Sequence, residues 1–70
     1  MNEITSPIAG RMFEINVKPG DKIHKGDEVL IIESMKMEIP IVAESEGIVK
    51  SIEVSAGEAV DSGQLLLRFE

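Results

Sequence analysis

Ile and Val recur at every second position over several short runs of this chain, a spacing that belongs to strands rather than helices. Residues 3–6 read as a first short strand, closed by Pro7, which removes a backbone donor. Gly10 then gives a bend. From Arg11 onward, Phe13, Ile15 and Val17 alternate with Glu14, Asn16 and Lys18, which describes a strand with one apolar and one wet face. Pro19-Gly20-Asp21 is a strong turn signal, because Pro presets φ at one position and Gly accepts a positive φ at the next. A few extended residues about Ile23 precede a second turn at Lys25-Gly26-Asp27. The continuous apolar run Val29-Leu30-Ile31-Ile32 suits a strand covered on both faces.

The rest of the chain repeats this plan. Residues 1–33 match residues 38–70 without a gap, at an offset of 37 positions that sets Gly10 on Gly47, Ile15 on Ile52, Gly20 on Gly57, Gly26 on Gly63 and Leu30 on Leu67. The second half therefore has strands at 38–43, 48–54, about Val60 and at 65–69, with turns at Ala56-Gly57-Glu58 and Ser62-Gly63-Gln64. Pro40 is tolerable near a strand start or on a sheet edge. Eight short strands with regular turns predict an all-β fold, a sandwich or flattened barrel of two interlocked, duplicated halves, as a single domain over residues 1–70. The repeated glycines read as structural, since none opens a strand-to-helix junction that could cradle a phosphate. Only Ser34 to Met37 falls outside the repeat, and a pseudo-two-fold axis through this tetrapeptide is expected.

Composition narrows the function. A chain of 70 residues buries only about 60% of its unfolded surface, and with no Cys and one His it has neither disulfides nor zinc-ligand spacing to brace it, so a small apolar core must suffice. Thirteen acidic against seven basic residues, and two Phe as the only aromatics, argue against nucleic acid and favour basic patches on protein partners. No run approaches the roughly 20 apolar residues that span a bilayer, and the first residues are not a basic segment leading into an apolar one. A soluble, cytoplasmic protein with no membrane partner is expected, and a monomeric domain, although no pattern bears on oligomerisation. Independent catalysis is disfavoured: His24 sits by a turn with Lys25 and Asp27, and no Ser or Cys nucleophile is patterned with it.

Chemistry concentrates instead in Glu33-Ser34-Met35-Lys36-Met37-Glu38. A lysine between two strands is usually a solvated loop tip, but three features set Lys36 apart. If Met35 and Lys36 are the central pair of a tight hairpin, the favoured primed turn demands a positive φ at both, which suits neither residue. Such a conflict in an otherwise consistent sequence points to function. Met35 and Met37 flank the amine symmetrically, either as an adaptable apolar collar for a partner or as core residues. The duplication also mounts the tip on two rigid halves. Nothing nearby makes the lysine a nucleophile unaided, so its chemistry must come from outside.

This stretch resembles the Ala-Met-Lys-Met signature of the biotinyl/lipoyl domain family, with Ser34 where the family usually has Ala, and the glycine pattern fits the family along the entire chain. The resemblance implies a flattened barrel of two four-stranded antiparallel sheets with Lys36 on an exposed hairpin, acylated on its ε-amine. Methionines on both sides point to biotin, whereas lipoyl domains typically have Asp before the lysine and Ala after it. Lipoate at the same lysine, or an unmodified protein-interaction module, stand as alternatives. The segment from Val17 to Ile23 has no room for the thumb of some carriers, so the chain is most like the small free-standing attachment proteins of biotin carboxyl carrier type. A biotin protein ligase is then the modifying enzyme, with Met35 and Met37 as recognition neighbours and Glu33, Ser34 and Glu38 as possible contacts. Biotin carboxylase and carboxyltransferase components would be the partners of a carrier that is not itself an enzyme.

Overall fold

The computed structural model describes residues 2–70, and its strands fall in the predicted order: β1 (Asn2–Thr5), β2 (Gly10–Ile15), β3 (Lys22–Ile23), β4 (Glu28–Ser34), β5 (Met37–Val42), β6 (Gly47–Ile52), β7 (Ala59–Val60) and β8 (Leu65–Phe69). They form two four-stranded sheets, β1-β8-β6-β3 and β5-β4-β2-β7, with every pairing antiparallel. Met12, Val29, Leu30, Ile32, Leu66 and Leu67 are fully buried between the sheets, and Ile4, Ile23, Ile41, Ala43, Val49, Val54, Val60 and Phe69 complete the core. Each large side chain buried in this way stabilises the fold by about 1.5–3 kcal/mol relative to exposure.

The duplication is visible strand by strand. Adding 37 to a residue number carries β1 to β4 onto β5 to β8, and this turns one sheet order into the other. The turns repeat too: Gly20 N–H donates to Val49 O at 2.8 Å as Gly57 N–H donates to Met12 O at 2.7 Å. Asp21 Oδ2 accepts the Lys18 N–H and Glu58 Oε1 the Ser55 N–H, both at 3.0 Å. That bond, with the Lys18 ammonium 3.3 Å from Oδ1, holds the Asp21 carboxyl below the usual aspartate range.

The expected axis through residues 34–37 is not there. An element on a two-fold axis must map onto itself, but the operation that exchanges β4 with β8 and β5 with β1 carries the β4–β5 hairpin onto the gap between Glu70 and Asn2. Asn2 pairs with Phe69 there just as Ile39 pairs with Ile32. The tetrapeptide caps one end of one sheet, and the chain ends hold the matching place on the other.

Four bulges, also in symmetric pairs, correct the strand pattern. Met12 and Glu14 pair with the adjacent residues Ile32 and Ile31, which leaves Phe13 extra, and Lys50 is extra in the same way between Val49 and Ser51. Phe13 was expected beside Ile15 and Val17 on the apolar face. The bulge sends Met12 into the core and leaves Phe13 46% exposed. Val29 and Leu66 are the second pair of extra residues. The run 29–32 is apolar because this bulge turns both Val29 and Leu30 inward, not because both faces of β4 are covered; Ile31 is half-buried and stands outside the core cluster. Gly10 begins β2 rather than bending the chain, and its missing Cβ would lie 2.5 Å from the Glu33 carbonyl oxygen. Pro40 lies on the edge strand β5, where its absent N–H interrupts no ladder.

Candidate functional site

β4 and β5 close with Ser34 opposite Met37, so Met35 and Lys36 are the two central residues of the hairpin turn. Their φ values are 53° and 64°, the left-handed pair that a primed turn requires. Among the described residues they are the only non-glycine positions with positive φ; Gly20, Gly26, Gly57 and Gly63 supply the others. A side chain in this region costs on the order of 1 kcal/mol or more per residue. The strand twist dictates the turn type, and the residues that fill it are held there against their own preference.

The two methionines do not enter the core. Met35 is 90% exposed and Met37 61% exposed, flanking an exposed Lys36. The last inward row is Met12–Ile32–Ile39, one step below the Ser34–Met37 pair. Among the described residues no carboxylate lies within ion-pair distance of the Lys36 amine. Glu33 and Glu38 are exposed and directly opposite each other, a like-charge pair that disfavours the sheet locally. Arg11, the β2 neighbour of Glu33, instead donates from Nη1 to the Gly57 carbonyl at 2.6 Å. Ser34 is half-buried at the base of the turn. The geometry thus brings all six predicted residues to one hairpin end, with a solvated amine at its summit.

Other candidate features lie elsewhere. His24 follows β3 on the opposite sheet; its N–H donates to Asp27 Oδ2 at 2.8 Å and its Nδ1 lies 3.6 Å from the same oxygen. An open groove of about 440 Å³ runs between the edge strands β1 and β5, lined by residues such as Ile4, Thr5, Pro40, Val42 and Phe69, and none of residues 33–38 lines it. One group beside the tip is not expected from the sequence: Phe13, Ile31 and Pro40, which share the outer face of the hairpin's sheet. The signal was present in the repeat, where these positions fall on Lys50, Arg68 and Glu3.

A family model described as "Biotin-requiring enzyme" matches residues 2–69. Over 66 residues the chain is 50% identical to the biotin/lipoyl attachment protein of Bacillus subtilis, covering 94% of this chain and 90% of that one. A biotinylated protein homolog of Mycobacterium leprae is 41% identical over 91% of this chain and 90% of its own length. The mitochondrial propionyl-CoA carboxylase alpha chain of Homo sapiens is 40% identical over 96% of this chain, which spans 9% of that larger protein. Among solved structures, the urea carboxylase of Kluyveromyces lactis superposes over 99% of this chain and 6% of its own, with a TM-score of 0.91 and 32% identity. The lipoyl domain of the 2-oxoglutarate dehydrogenase complex of Azotobacter vinelandii superposes over 100% of this chain and 96% of its own, with a TM-score of 0.84 and 25% identity. With the family model matched along nearly its whole length and half-identity to a small attachment protein, the chain belongs to the biotin/lipoyl attachment domain family.

Proposed function

We propose that Lys36 is the residue on which this chain carries biotin. The observation that carries this reading is the turn itself: a solvated lysine at the summit of a two-residue primed hairpin that Met35 and Lys36 occupy despite the backbone cost. The chain is a non-catalytic biotin carrier, a reading supported by a family described as biotin-requiring and by small relatives named as a biotin/lipoyl attachment protein and a biotinylated protein. Domains like it are parts of biotin-dependent carboxylases, and its working partners are of that class. Its own residues fit a covalent attachment. Among the described residues no carboxylate competes for the Lys36 amine, the apolar Met35 and Met37 border it, and the strands behind it anchor Leu30, Ile32 and Ile41 in the core.

Attachment is supplied from outside by a biotin protein ligase. The deprotonated Lys36 Nζ attacks the carboxyl carbon of an activated biotinyl adenylate, an amide bond forms, AMP leaves with the electrons of the broken C–O bond, and the nitrogen releases one proton to solvent. Once attached, biotin supplies a ureido nitrogen able to carry a carboxyl group. The chain contributes position, holding the group at a local concentration of roughly millimolar for each enzyme it can reach. Intact mass after co-expression with a biotin ligase should show one biotinyl group on the wild type and none on Lys36→Arg. Biotin on the Arg variant would overturn the assignment, and a lipoyl increment in its place would identify the other cofactor of this family.

A further inference from the structure

The outer faces of the two sheets are symmetry mates, so folding makes the same demands on both, yet their residues differ. On the sheet β1-β8-β6-β3 one row runs Glu3–Arg68–Ser51 with the bulge residue Lys50 beside it. It carries two separate ion pairs: Arg68 Nε is 3.5 Å from Glu3 Oε2, and Lys50 Nζ is 3.4 Å from Glu70 Oε2. The matching row on the hairpin's sheet runs Pro40–Ile31–Glu14 with the bulge residue Phe13. Phe13 and Pro40 are exposed, and Ile31 is half-buried without joining the core. Where one face carries ion pairs, its mate carries an apolar stripe. The fold does not need that stripe, because its mate does without one.

Place and charge say what covers it. On that outer face a single row, Glu33–Glu38, separates the stripe from the tip, and Glu14 borders the stripe within its own row. Among the described residues none of these three carboxylates is ion-paired. Two copies packed face to face would set these acids against each other. A partner with an apolar patch and a basic rim would match both features. Resting on the reading that Lys36 is the attachment residue, we infer that the Phe13–Ile31–Pro40 face is the docking surface for the ligase that acylates Lys36. The ligase must bring its active site within the reach of a bare lysine side chain, so its surface meets the sheet beside the tip. A carboxylase meets the longer biotinyl arm and need not touch that sheet.

The test measures KM and kcat for biotinylation of the intact chain by a purified biotin protein ligase. Phe13→Lys and Ile31→Arg install residues that the mate positions already hold, so both variants should fold; Pro40→Glu, chosen on the same ground, replaces either one that does not. Lys50→Ala, on the other sheet, is the control. The first two should raise KM about tenfold with kcat within about twofold, and the control should leave both unchanged. Unchanged KM in folded variants, with the wild type still taking biotin on Lys36, overturns the docking surface and leaves the attachment reading standing. Absence of biotin on wild-type Lys36 overturns both. A wild-type dimer in sedimentation that Phe13→Lys dissociates, or a KM rise confined to a carboxylase acting on the biotinylated chain, overturns the assignment to the ligase.

Discussion

Met35 shows how far this chain departs from the residue its backbone would choose. Its φ of 53° and 90% exposure mean that it contributes nothing to the core and strains the turn. Asn tolerates the left-handed region, so Met35→Asn should raise stability by roughly 1 kcal/mol, read as a higher urea midpoint with unchanged slope. The same change removes an apolar group beside the amine and should slow biotinylation severalfold. If the variant is both more stable and modified at the wild-type rate, Met35 has no part in recognition. The conflict between residue type and turn type was legible before any coordinates, because it needs only the hairpin length. Which way the methionines face was not: alternation assigns a side, but not whether the core extends as far as the Ser34–Met37 pair.

Gly10 and Gly47 form a matched experiment at the scale of the strand. A Cβ at Gly10 would lie 2.5 Å from Glu33 O, and one at Gly47 would lie 2.6 Å from Glu70 O. A backbone oxygen blocks each, and at Gly47 the Phe69 ring lies equally close at 2.6 Å, so Gly10→Ala and Gly47→Ala should each cost about 1–3 kcal/mol in chemical denaturation. Only the first displaces the end of β4 that leads into the tip, so only Gly10→Ala should also slow biotinylation; equal slowing in both would mean the effect is global instability. Strand order and number were readable from the alternation and the turn residues. The bulges were not, since an extra residue such as Phe13 or Val29 breaks the period of two without changing local composition. The repeat holds a trace of them, because Phe13 and Lys50 disagree in polarity where their neighbours agree.

At the scale of the molecule, each half gives two strands to each sheet, and β1 and β3 are separated by β8 and β6. Neither half can close a sheet alone, and the two-fold relation belongs to the intact chain. The sequence alignment revealed the duplication but misplaced its axis, because the midpoint of a chain is not the fixed point of a rotation that exchanges its halves. The rotation instead pairs the tip with the chain ends, and this permits a direct test of what a partner reads. A permuted chain running from Glu38 to Glu70, through Ser-Met-Lys-Met, and on from residue 1 to Glu33 has the same strands and a tip bridging β8 and β1. Its lysine stands beside the ion-paired row Glu3–Arg68–Ser51 instead of the apolar stripe. The permuted chain should unfold cooperatively, yet it should be a ligase substrate with KM raised about as much as in Phe13→Lys, roughly tenfold. Adding Lys50→Phe, Arg68→Ile and Glu3→Pro, which rebuilds the stripe on the new side, should recover most of that loss. Wild-type kinetics in the permuted chain without those changes would mean that the ligase reads the Met-Lys-Met tip alone, and that the face beneath it is apolar for some other reason.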